Sequence, residues 1–124
     1  MRKSLAAALL SCAALVPAGA SAQVTRVVAV AKPPRYDGPC PVRFEFVGTI
    51  FVARPTVVTY RWERSDHATG PVQSVAINSA GQGVATQWQL SRPPGAVFTG
   101  WETLHVLSPG DMYSNPANVN LVCR

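Results

Sequence analysis

Any chemistry in this 124-residue chain has to come from a short stock of reactive side chains: two histidines, three cysteines and six carboxylates. Ser65-Asp66-His67 contains the letters of a hydrolase triad. Triad members are brought together by a fold rather than by adjacency, however, and the chain has no G-x-S-x-G elbow. Asp66 and His67 are no better as metal ligands, because neighbouring side chains on an extended backbone point apart and no third ligand is near in sequence. His105 stands between Leu104 and Val106 in an apolar stretch, where a strand histidine with a satisfied hydrogen bond is the expectation. No carboxylate pair stands out for glycoside hydrolysis, and there is no phosphate loop or dinucleotide fingerprint. The expectation is a protein that is not an enzyme and takes neither cofactor nor metal.

The cysteines divide by position. Cys12 falls in an N-terminal segment with the three parts of an export signal: Arg2 and Lys3, an apolar run from Leu5 to Val16, and small residues Ala20-Ser21-Ala22 before Gln23. The run is short of the roughly 20 apolar residues that cross a bilayer, and no later stretch replaces it, so no membrane span is expected. Residues 1–22 read as a signal peptide and residues 23–124 as a secreted or periplasmic product. An alternative is a lipoprotein anchored through Cys12, since Leu9-Leu10-Ser11-Cys12 resembles a lipoprotein cleavage box. Cleavage after Ala22 leaves Cys40 and Cys123, an even count that argues for a disulfide in an oxidising compartment. Two free thiols or an intermolecular bridge are the alternatives.

Charge narrows the partners. The mature chain keeps nine basic and six acidic residues, a net +3. The bases are scattered from Arg26 to Arg124 with acids among them, which describes a solvated surface and not a nucleic-acid patch. A length near 100 residues accommodates one domain and one core.

The elements that must position these groups read as short strands: Thr25 to Ala31, Val42 to Val52, Thr56 to Arg64, Val72 to Ile77, Gly83 to Leu90, Phe98 to Leu107 and Ala117 to Cys123. Proline and glycine clusters fill the gaps, and no proline after the signal falls inside a proposed strand, as the missing N–H requires. Val58, Tyr60 and Trp62 alternate with Thr59, Arg61 and Glu63, and Val84, Thr86, Trp88 and Leu90 alternate with Ala85, Gln87 and Gln89. One apolar and one polar face per strand implies antiparallel sheets packed on one side. About seven such strands predict an all-β, two-sheet antiparallel sandwich, with a small β-barrel as the alternative.

Val57 to Arg64, carrying Trp62, and the preceding Phe44-x-Phe46-x-Gly48 resemble the third and second strands of immunoglobulin-like domains, in particular small secreted bacterial ones. The resemblance implies a buried Trp62. It departs from the pattern in Phe98 to Leu107, which has neither the cysteine nor the tyrosine often found there, and it implies no ligand. With strands of alternating direction, Cys40 and Cys123 fall at the same pole of the sandwich, Cys123 sharing the inward parity of Val119 and Leu121.

The aromatic residues Trp62, Trp88, Trp101, Phe44, Phe46 and Tyr60 read as core, with a sugar- or peptide-stacking platform as the alternative. Phe51, on the parity of Arg43 and Glu45, and Tyr113, in a Pro/Gly-rich loop, are the candidate ligand contacts. The functional expectation is a secreted, non-enzymatic binding or interaction module for an extracellular or periplasmic protein or glycan. Loops Ser65 to Pro71 and Ser108 to Pro116, or a sheet edge, would make the contacts. The alternatives are a structural or envelope-associated subunit and an inhibitor of an extracellular hydrolase.

Overall fold

A computed structural model describes residues 23–124; the segment expected to be a signal peptide, residues 1–22 with Cys12, lies outside the described residues. The strands are β1 (Val24–Lys32), β2 (Arg35–Gly38), β3 (Val42–Val52), β4 (Thr56–Arg64), β5 (Gln73–Ile77), β6 (Gly81–Leu90), β7 (Val97–Ser108), β8 (Met112–Tyr113) and β9 (Ala117–Cys123). They form two sheets, β1-β3-β6 and β2-β9-β7-β4-β5, with β8 paired to β7. The order has open edges, so the architecture is a sandwich and not a closed barrel.

Two expectations are corrected. The described residues form nine strands instead of about seven, the additions being β2 and β8. The sandwich is also not wholly antiparallel, because β2 runs parallel to β9, with Arg35 opposite Asn120 and Gly38 opposite Cys123. Pro33-Pro34 and Pro39 confine β2 to four residues and place it at the sheet's edge, where a strand flanked by proline is tolerated.

Alternation builds the core. The inward residues of β3 are Phe44, Phe46, Gly48, Ile50 and Val52, and those of β4 are Val58, Tyr60 and Trp62. Gly48 is required by close approach. A Cβ there would sit 2.5 Å from Leu104 Cδ2 and 3.0 Å from Trp62 Cη2, so the indole of one sheet lies against the bare backbone of the other. Phe46 packs 6.5 Å from both Trp62 and Trp88.

The outer edge of β1 is partly blunted. The Asn115 carboxamide accepts the Ala29 N–H at 3.0 Å and donates to the Ala29 carbonyl at 2.8 Å, occupying both edge groups of that residue. Near Val24 and Arg26 the β1 pairing to β3 shifts register, which further disrupts a continuous edge.

Candidate ligand-binding face

The outward residues of the larger sheet come from strands far apart in sequence. On β7, Gly100, Glu102, Leu104 and Val106 point inward, which leaves Thr99, Trp101, Thr103 and His105 on the outer face. On β9, Ala117, Val119, Leu121 and Cys123 point inward, leaving Asn118 and Asn120 outward. The β7–β9 register sets Trp101 opposite Asn118 and Thr99 opposite Asn120. With Ser65, from the turn after β4, these four residues line a shallow groove of about 360 Å³. Ser65 Oγ accepts the Trp101 backbone N–H at 3.2 Å, and Ser65 N–H donates to the Trp101 carbonyl at 2.9 Å, so the turn holds the strand that carries the indole.

Trp101 is therefore a correction. It is 37% exposed and lies outside the core, whereas Trp62 and Trp88 are buried. Hydrophobicity alone places Trp101 inside and Glu102 outside. Strand parity, anchored by fully buried Leu104 and Val106, does the reverse.

A second cluster lies further along the same face. His105 is hydrogen-bonded through Nδ1 to Glu63 Oε2 at 2.6 Å and through Nε2 to Asp111 Oδ1, and Arg61 Nε donates to the same Glu63 oxygen at 2.9 Å. Tyr113 stacks on the imidazole with centroids 3.8 Å apart and planes 16° from parallel. Burial disfavours the charged ring, but its hydrogen bonds to Glu63 and then Asp111 outweigh that and hold the His105 pKa above the ordinary value. For Glu63, burial likewise opposes the charge, and the bonds from His105 and Arg61 prevail and lower its pKa. The cluster fastens the segment carrying Asp111 and Tyr113 onto the sheet.

The residues singled out in the sequence do not meet. Tyr113 is 54% exposed on the outer face of the larger sheet, whereas Phe51 lies half-buried on the outer face of the smaller one, its ring covered by the Arg26 guanidinium at 4.3 Å. Cys40 and Cys123 are joined, with Cα atoms 5.4 Å apart. Ser65-Asp66-His67 is a tight turn. His67 N–H donates to the Arg64 carbonyl, Asp66 Oδ1 accepts the Ala68 N–H, and His67 itself takes a φ of 73°. Arg64 grips the Asp66 carboxylate through two nitrogens, and the hydrogen bond from Arg64 is the main cause that lowers the Asp66 pKa to about 2.

Beneath that turn a cavity of about 100 Å³ is lined by Trp62, Arg64, Gln87 and Glu102, among others. The Trp62 Nε1–H is buried without a hydrogen-bond partner, and Glu102 is 2% exposed. Burial pushes the Glu102 carboxyl up to about 7 against the pull of nearby Arg64. The folded state then holds a proton that the unfolded state loses between pH 4.5 and about 7, so this group's contribution falls as pH rises through that window. Glu102→Gln is expected to raise stability over the parent by about 1–2 kcal/mol at pH 8, a figure discounted for solvent screening, and by much less at pH 4. Urea unfolding of both proteins at the two pH values measures this.

The fold is a small all-β sandwich that resembles domains of immunoglobulin-like type. No protein-family model matches its sequence, and no curated protein matches it either. Among solved structures it is similar to the CARDB domain of a protein from Pyrococcus furiosus, determined in complex with di-metal ions. The TM-score is 0.51 at 10% identity, over 85% of this chain and 100% of the other. At that identity the likeness is one of fold alone.

Proposed function

We propose that the chain is a secreted, non-enzymatic binding module that engages its ligand on the outer face of the larger sheet, around Trp101. The observation that carries this reading is a large aromatic ring left 37% exposed beside a groove on a sheet whose other tryptophan, Trp62, is buried. An exposed indole next to unspent polar groups is a common anchor for recognition. Secretion rests on the charged, apolar and small-residue segments of residues 1–22. The absence of enzymatic function rests on the residue inventory: the triad letters form a turn, and His105 is engaged on both ring nitrogens.

The CARDB neighbour's di-metal ions do not transfer. Among the described residues no group of three or more His, Cys, Asp or Glu is arranged to hold a metal. In the Glu63–His105–Asp111 cluster both ring nitrogens are engaged by carboxylate oxygens.

Binding of the exported protein to envelope preparations of its own cell, measured by biolayer interferometry, is expected to fall by roughly tenfold or more in Trp101→Ala, with unchanged melting temperature. Equal binding by parent and variant, or no binding by either, defeats the reading.

A further inference from the structure

We infer that the groove around Trp101 is a subsite for one neutral, polyhydroxylated ring, that is, a sugar unit of an uncharged glycan. The inference rests on the binding-module reading and specifies its ligand. Four side chains define a rectangle on two adjacent strands: Trp101 faces Asn118, and Thr99 faces Asn120. Such pairs stand about 5 Å apart across the strands, and residues two apart along a strand are separated by about 7 Å. That is the footprint of a single sugar ring. Trp101 supplies a flat apolar surface at one corner, suited to the C–H face of the ring. The other corners supply a hydroxyl and two carboxamides, each able both to donate and to accept, which is the pairing that ring hydroxyls require. Neither the Thr99 hydroxyl nor the Asn120 carboxamide is committed to a hydrogen bond within the described residues, whereas Asn118 makes only a long contact of 3.5 Å to the Pro116 carbonyl.

The groove argues against other ligand classes. Its lining contains no ionisable side chain, so it offers no counter-charge to a phosphate, a carboxylate or an ammonium group. An extended peptide would draw affinity from backbone pairing at a sheet edge. Here β7 lies between β9 and β4, and β9 lies between β2 and β7, so both strands beneath the groove already have partners on each side. An apolar ligand would bury the carboxamides of Asn118 and Asn120 without partners. Arg35, opposite Asn120 on the far side of β9, is not among the residues that line the groove.

The exported protein is titrated by calorimetry, and by tryptophan fluorescence, with soluble neutral oligosaccharides (gluco-, xylo-, manno- and chito-series) and with polygalacturonate as the charged comparison. Saturable binding of at least one neutral series is expected, insensitive to salt and perturbing the fluorescence. Trp101→Ala should weaken it by roughly tenfold or more and Asn120→Ala by several-fold, both with parental melting temperatures. Thr99→Val, isosteric and exposed, gives a second measure if either variant loses solubility. Binding only to polygalacturonate, with salt dependence, overturns the neutral-ring inference, as does neutral binding unaffected by all three substitutions. If no oligosaccharide binds while Trp101-dependent binding to an envelope protein persists, the inference falls and the binding-module reading stands. If nothing binds through Trp101, both fall.

Discussion

Trp62→Ala is expected to lower the free energy of unfolding by about 3–5 kcal/mol, the range of aromatic deletions in cores. The indole is 3% exposed, packs near Phe46 and reaches across the sandwich to Gly48, where the opposing sheet has no side chain to relax into the void. A cavity there would open beside backbone, which moves less readily than a side chain does. Since small domains hold only about 5–15 kcal/mol in all, the loss is a large share. Thr59→Ala, three positions earlier on the outer face, removes only a surface hydroxyl paired with Ser108 and should cost under about 1 kcal/mol. Trp62→Phe separates two contributions, because it keeps most of the ring packing and removes an N–H that is buried without a partner. Its cost should therefore be clearly smaller than that of the alanine variant. Urea titration at constant m-value measures all three. A loss below about 1.5 kcal/mol in Trp62→Ala would mean that the two sheets do not close on this residue.

How far the residues announce this structure differs from strand to strand. Val42–Val52, Thr56–Arg64 and Ala117–Cys123 have the bounds expected from alternation and from the prolines and glycines that flank them. In each, sidedness and punctuation are local properties of the chain. β2 is not local: its pairing with β9 joins Arg35 to Asn120, and its own flanks carry prolines that read as a turn. β8 has two residues and exists through its pairing with β7 and the stack of Tyr113 on His105. Trp101 misleads because hydrophobicity and parity conflict in β7, and Leu104 and Val106 decide the parity. The signal that could have found the groove was the alternation of Asn118 and Asn120 with Ala117, Val119 and Leu121, which turns two amides outward beside whichever strand pairs with β9. The identity of that strand is a tertiary fact. The Glu63–His105–Asp111 contacts have the same origin, drawn from three separate segments.

Reducing the Cys40–Cys123 bond is expected to destabilise the domain by about 2–4 kcal/mol and to lower its melting temperature on the order of 10–20 °C. The two cysteines are 83 residues apart in sequence, and closing so long a loop in the unfolded chain is worth up to about 4.5 kcal/mol in the chain-entropy account. The position of the bond adds to its effect. Cys40 lies in the connection between β2 of the larger sheet and β3 of the smaller, two residues from each, and Cys123 ends β9 of the larger, so the link fastens the crossing between the sheets to β9 at one pole. Several weaker contacts depend on the same corner. Gly95 N–H donates to the Cys123 carbonyl at 2.6 Å, Arg124 N–H donates to the Gly38 carbonyl at 2.8 Å, and the Arg124 side chain pairs with Asp37. The Arg124–Asp37 pair is exposed and cannot replace the covalent link. Cys123 belongs to the core between the sheets and Cys40 packs against it, while Val58, Trp62, Leu104 and Val106 hold the part contributed by β4 and β7 without the bond, so the reduced protein should keep its near-UV circular dichroism at room temperature while melting earlier. Calorimetry with and without reductant, alongside a Cys40→Ala/Cys123→Ala double variant, measures the effect. Agreement between reduction and the double variant assigns the loss to the cross-link. Unchanged melting temperatures in both, or free thiols at Cys40 and Cys123 in a non-reducing peptide map of the native protein, would remove the bond from the native state.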